Sequence, residues 1–70
     1  MEIRICERLL PNKTNSYLMQ LEQGATLDQL AKNQWKGKVH IYTVNGALAN
    51  PNRVLFENDL VEVYPLKMGG

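Results

Sequence analysis

Cys6 is the only cysteine of this chain, and one cysteine can close neither an internal disulfide nor a cysteine-based zinc site. Such usage fits a reducing, cytoplasmic address. Long hydrophobic runs are missing as well. Charges at Glu2 and Arg4 interrupt the stretch where a signal peptide would need apolar residues, and no segment approaches the ~20 apolar residues of a membrane span. Neither secretion nor membrane insertion is expected. Charge of one sign is scarce: eight Lys and Arg stand against seven Asp and Glu, for a net charge of +1. The basic residues Arg4, Arg8, Lys13, Lys32, Lys36, Lys38, Arg53 and Lys67 are spread along the chain, so the basic face of a nucleic-acid binder is absent. Also absent are a Ser-His-Asp set, a carboxylate pair and a phosphate loop. His40 is the one histidine, with no second ligand and no nucleophile pattern around it. The chain is therefore not expected to be an enzyme, nor to hold a metal or a cofactor.

What is present is enough for one domain. Seventy residues sharing a single core bury only about 60% of the surface that the unfolded chain exposes, which leaves no room for a deep catalytic pocket. Met1, Ile3 and Ile5 alternate with Glu2, Arg4 and Cys6, the period of a strand with one buried face. The run Leu10-Pro11-Asn12-Lys13-Thr14-Asn15-Ser16 has loop composition, and Tyr17 to Glu22 alternate again as a second strand with Tyr17, Met19 and Leu21 on one face. Thr26-Leu27-Asp28-Gln29 has the form of a capping box, and Leu27, Leu30, Ala31 and Trp35 share one face of the helix that follows. Gly37 is the expected terminator. Val39 to Val44 alternate as a third strand. Asn45-Gly46 is a strong hairpin signal, Ala47 to Ala49 return as a short strand, and Arg53 to Phe56 form an irregular connector. After a turn at Glu57-Asn58-Asp59, the last strand runs from about Leu60 to Tyr64, with Val61 and Val63 on one face. The order strand, strand, helix, strand, short strand, strand predicts an α+β domain in which a helix covers one face of a mixed sheet.

The second half of the chain carries a set of features in a particular order: Val44-Asn45-Gly46, then Asn58-Asp59 before Val61-Glu62-Val63, then Tyr64-Pro65-Leu66-Lys67-Met68-Gly69-Gly70. This resembles the ThiS/MoaD family of ubiquitin-like sulfur carriers, which includes the thiamine-biosynthesis carrier and the molybdopterin synthase small subunit. The family's usual Gly before the turn Asp is replaced by Asn58, a mild departure because Asn also visits the left-handed region. The resemblance spans roughly the last 27 residues, the first half agreeing in element order only. It implies a ubiquitin-like β-grasp domain over residues 1–65, with a mixed four- to five-stranded sheet, one helix across one face, and a flexible tail at residues 66–70.

The same resemblance implies the chemistry. A partner enzyme uses ATP to adenylate the carboxyl of Gly70, and a sulfur donor such as a cysteine desulfurase then displaces AMP to leave a thiocarboxylate, which a sulfur-accepting synthase consumes. Thiamine-type and molybdopterin-type pathways both stay open. Glycine suits this position because, lacking Cβ, Gly69 and Gly70 enter a narrow channel in conformations closed to other residues. Leu66, Lys67 and Met68 read as tail and spacer. Leu60 and Tyr64 alternate with Val61 and Val63, so they are expected on the outer face of the last strand, where apolar groups at the root of the tail suggest partner docking. Cys6 reads as an unreactive cysteine. Two other functions share the pattern: a protein modifier conjugated through Gly70, and a β-grasp binding module without carrier activity.

Overall fold

Alternating apolar residues do open the chain as a strand, and the later ones assemble beside it. The computed structural model describes residues 1–10, 12–36 and 40–65, and for residues 9–10 the backbone alone. Its elements are β1 (Glu2–Leu10), β2 (Lys13–Gln20), α1 (Leu27–Gln34), β3 (His40–Val44), β4 (Ala47–Leu48) and β5 (Leu60–Pro65). The strands form one mixed sheet in the order β2-β1-β5-β3-β4. β1 and β5 are parallel neighbours near its middle, with Ile5 opposite Val61 and Glu7 opposite Val63. The other pairs are antiparallel. A small α+β domain with five strands and one helix in this order is compatible with the β-grasp fold.

The side-chain period of two decides which face is apolar. Ile3, Ile5, Val44, Val61 and Val63 point to one side and meet Leu27, Leu30 and Trp35 of the helical segment and Leu55 of the connector, all buried. Burying each of the larger aliphatic side chains contributes about 1.5–3 kcal/mol. Tyr17, Met19, Leu21, Ala31 and Tyr42 close the rim.

α1 starts where its cap predicts. Thr26 Oγ1 accepts from the Gln29 amide at 3.3 Å, and Gln29 Oε1 accepts from the Thr26 amide at 3.0 Å. Two further first-turn donors, the amides of Leu27 and Asp28, bond the carbonyls of Arg53 and Pro51, each at 2.9 Å. The irregular connector thus acts as a strap that satisfies the start of the helix. At the other end Trp35 is the C-cap, its amide donating to the Ala31 carbonyl at 2.9 Å.

Three expectations need correction. Lys13 to Ser16 belong to β2, paired across to β1 through Leu10↔Lys13, Glu7↔Asn15 and Cys6↔Ser16, because their polar character reflects an exposed edge strand and not a loop. The connection is correspondingly tight, with Asn12 at φ 60. β2 stops at Gln20, although Leu21 still exchanges hydrogen bonds with Met1. The left-handed residue after the helix is Lys36, at φ 52, while Gly37, like Val39, lies outside the described residues. Lysine pays a Cβ penalty there that glycine avoids, partly offset by glycine's greater freedom when unfolded. Lys36→Gly is expected to raise stability by about 0.5–1 kcal/mol in chemical denaturation. A lower midpoint would contradict the left-handed cap.

Asn45 and Gly46, at φ 52 and 85, make the tight turn that their sequence predicts, and β4 pairs back through Thr43↔Leu48 and Val44↔Ala47.

Candidate functional site

Three features surround β5, the strand that leads into residues 66–70. The first is a clamp at its start. Asp59 is buried; its Oδ1 accepts from Asn45 Nδ2 at 2.8 Å and its Oδ2 from the Phe56 amide at 2.8 Å. Asn45 Oδ1 accepts from the Leu60 amide at 2.9 Å, and the Asn45 amide donates to the Leu60 carbonyl at 2.8 Å. β1 holds the same turn: the Arg4 amide donates to the Asp59 carbonyl at 2.9 Å and the Asn58 amide to the Glu2 carbonyl at 2.8 Å. Asn45 and Asn58, with φ 52 and 68, supply left-handed backbone at both turns. Composition showed two turns; the side-chain bond between them was not legible, because it joins residues 14 apart in the chain.

The second feature is the sheet face opposite the helix. Val61 and Val63 are fully buried, so Leu60, Glu62 and Tyr64 alternate onto the outer face, where Leu60 and Tyr64 are half-buried. Tyr64 stands opposite Ile41. Glu62 stands opposite both Cys6 and Thr43, and it accepts from Arg8 Nε at 2.9 Å, Tyr64 OH at 3.3 Å and Thr43 Oγ1 at 3.4 Å. Leu60 joins Arg4, Cys6, Ser16 and Leu18 around a shallow depression of about 360 Å³. Leu18 and Leu48 are 60% and 80% exposed on this side, and Cys6 is buried beneath it. The described part of this face is thus apolar patches around one carboxylate network.

The third feature was not foreseen. Glu7, opposite Val63 on the helix-side face, accepts from Tyr17 OH at 2.7 Å, Trp35 Nε1 at 2.9 Å and Asn15 Nδ2 at 3.2 Å. Gln34 Nε2 donates to Tyr17 OH at 2.8 Å. Trp35 packs against Tyr42 and His40 with ring centroids 5.6 and 6.3 Å apart, and His40 is paired across to Pro65. This polar and aromatic cluster therefore closes the end of the core from which the chain passes into residues 66–70. His40 sits on the helix side of the sheet and not on its surface face. Burial pushes the Tyr17 hydroxyl up to about 12, and the Glu7 carboxylate adds to the shift. Burial alone would raise Glu7, but the hydrogen bonds from Tyr17, Trp35 and Asn15 and the charge of His40 outweigh it, and its pKa is lowered.

A carboxylate with a depressed folded pKa stabilises the fold above its unfolded value and loses that contribution as pH falls through the folded value. The window lies below the ordinary value of 4.5. Glu7→Gln is expected to be less stable than wild type near neutrality, with the difference shrinking as the pH is taken from about 6 to about 3, followed by Trp35 fluorescence in urea titrations. A difference constant over that range would contradict an ionised Glu7 at the centre of the cluster.

Phe56 is 62% exposed. Leu66, Lys67, Met68, Gly69 and Gly70, the tail and modification residues inferred from sequence, lie outside the described residues. Among the described residues no group of three or more His, Cys, Asp or Glu is placed to hold a metal ion, and no helix is long and apolar enough to cross a membrane. Comparison of the sequence with protein-family models gives no match, and comparison with curated proteins gives none either.

Proposed function

We propose that this protein carries sulfur as a thiocarboxylate on Gly70. The observation that carries the reading is the convergence of Val44-Asn45-Gly46 and Asn58-Asp59, the segments that resemble the sulfur-carrier pattern, on a single clamp. That clamp fixes the start of β5, a strand paired on both sides, which leads through Pro65 to Leu66–Gly70.

An α-carboxyl has an ordinary pKa of about 3.3–3.7, so near neutral pH it is an oxygen nucleophile that cannot itself accept sulfur. Its oxygen attacks the α-phosphate of ATP in an adenylating partner, and pyrophosphate leaves. The outer sulfur of a persulfide on a donor such as a cysteine desulfurase attacks the acyl carbon and AMP leaves. A dithiol reductant then cleaves the resulting acyl disulfide, itself closing to a disulfide, and the thiocarboxylate so released passes to a sulfur-accepting synthase of thiamine-type or molybdopterin-type cofactor biosynthesis. The carrier contributes presentation and no catalysis. Tyr64 provides apolar contact for the partner at the root of the segment, Leu60 extends the same outer face at the start of β5, and Leu66, Lys67 and Met68 give reach. Gly69 and Gly70 pass where a Cβ would not.

Intact mass spectrometry of the protein from its own cells tests the reading. A population in which Gly70 has exchanged one oxygen for sulfur is the expected result. A lysine conjugate would replace the carrier with a modifier, and the unmodified acid alone, in cells making the cofactor, would leave a binding module.

A further inference from the structure

The sheet has two edges, and they are treated differently. β4 is a two-residue strand, too short to template another chain, whereas β2 presents eight residues, Lys13–Gln20. Open edges are commonly guarded by charge, proline or bulges. From Thr14 to Gln20 the strand has neither a charged residue nor a proline. The one register shift in the β1–β2 ladder falls between Glu7 and Leu10, so the ladder from Asn15 to Gln20 is regular.

The register shows which backbone groups face outward. Met1 and Leu21 exchange both hydrogen bonds, at 2.7 and 2.9 Å. In an antiparallel ladder such pairs alternate with non-bonded ones, so Met19, Tyr17 and Asn15 bond to Ile3, Ile5 and Glu7. Thr14, Ser16, Leu18 and Gln20 therefore aim their amides and carbonyls at the open edge.

We propose that this edge pairs with the same edge of a second copy of the chain, antiparallel about a two-fold axis at Tyr17, joining two sheets into one. This goes beyond the sulfur-carrier reading and does not depend on it. In that register Thr14 meets Gln20 of the second copy and Ser16 meets Leu18, so every outward-facing residue finds a partner that exchanges two hydrogen bonds with it. The charges agree with this direction. Lys13 opens the strand and Glu22 lies just past its end, so antiparallel self-pairing sets Lys13 across from the other copy's Leu21 and gathers opposite charges, Lys13 and the adjacent Glu22, at each end of the joined strands, whereas parallel pairing would gather like charges. Leu18, 60% exposed on the outer face, comes diagonally across from its own counterpart, within the reach of long side chains across a ladder. One strand edge buries less than the about 1,200–2,000 Å² of a standard interface, so the association is reversible and concentration-dependent.

Sedimentation velocity over a wide concentration range, combined with amide hydrogen exchange by NMR, tests the proposal. The mass is expected to climb from monomer toward dimer. Exchange at Thr14, Ser16, Leu18 and Gln20 is expected to slow by about tenfold with concentration, while Asn15, Tyr17 and Met19 stay protected throughout. Leu18→Lys, which sets like charges together, and Ser16→Pro, which removes an outward donor, are expected to stay monomeric with unchanged circular dichroism. If Ser16→Pro fails to fold, Leu18→Lys and the wild-type exchange pattern decide. A monomer at every concentration, a dimer that survives both substitutions, or protection without the alternation would overturn the proposal. The first outcome would leave the edge to a strand from a different protein.

Discussion

Asp59→Ala is expected to be the most damaging single substitution outside the apolar core, costing about 2–4 kcal/mol. Its carboxylate accepts two hydrogen bonds of 2.8 Å, from Asn45 Nδ2 and the Phe56 amide, at a position only 6% exposed. Alanine leaves both donors unsatisfied, and the penalty for an orphaned buried donor exceeds the net worth of the bond it made. It also frees Asn45, whose own bonds hold the first residue of β5. In a domain of this size each 1 kcal/mol moves the melting temperature by about 4–8 °C, so a fall of roughly 8–32 °C is expected in thermal unfolding followed by circular dichroism. Asp59→Asn keeps an acceptor for one donor and is expected to lose about half as much. A melting temperature within a few degrees of wild type for the alanine variant would show that the clamp does not hold the turn.

The clamp also shows where sequence reading succeeds and stops. Period-two alternation at Ile3, Ile5, Val61 and Val63 and the capping box at Thr26 are local signals, and the structure follows them closely. Lys13 to Ser16 misled because polar composition marks exposure, which an edge strand shares with a loop. Lys36 took the left-handed position that composition offered to Gly37, since where the helix stops is set by the C-cap at Trp35, whose indole is fixed to Glu7 across 28 residues of chain. Glu7 itself gave no signal. Alone it reads as one more charged residue of a strand, and its meaning comes from Tyr17 and Trp35, which only the fold brings to it. Leu60 and Tyr64 were legible as outer-face residues from alternation, while Glu62 between them gathers Arg8, Thr43 and Tyr64 by pairing that no local pattern announces.

Deleting Gly70 is expected to abolish carrier function while leaving thermal unfolding unchanged. Val61 and Val63 complete the core and Asp59 completes the clamp, and all three precede Pro65, so the deletion removes no part of either. The loss of function is expected to be complete because the deletion moves the carboxyl from Gly70 to Gly69, one residue short of the reach at which a partner's ATP site would engage it. A short reach is costly in such chemistry: misplacing a reacting group by about 1 Å can cost on the order of a hundredfold in rate. One residue of extended chain spans about 3.3–3.6 Å.

The most direct measurement is therefore to incubate the full-length and Gly70-deleted proteins with the adenylating enzyme, ATP and a sulfur source, and to record intact and tandem mass spectra. The account predicts that the full-length protein gains the mass of one oxygen-to-sulfur exchange, localised to Gly70, and that the truncated protein gains none. Sulfur found on Cys6, or equal loading of both proteins, would contradict it.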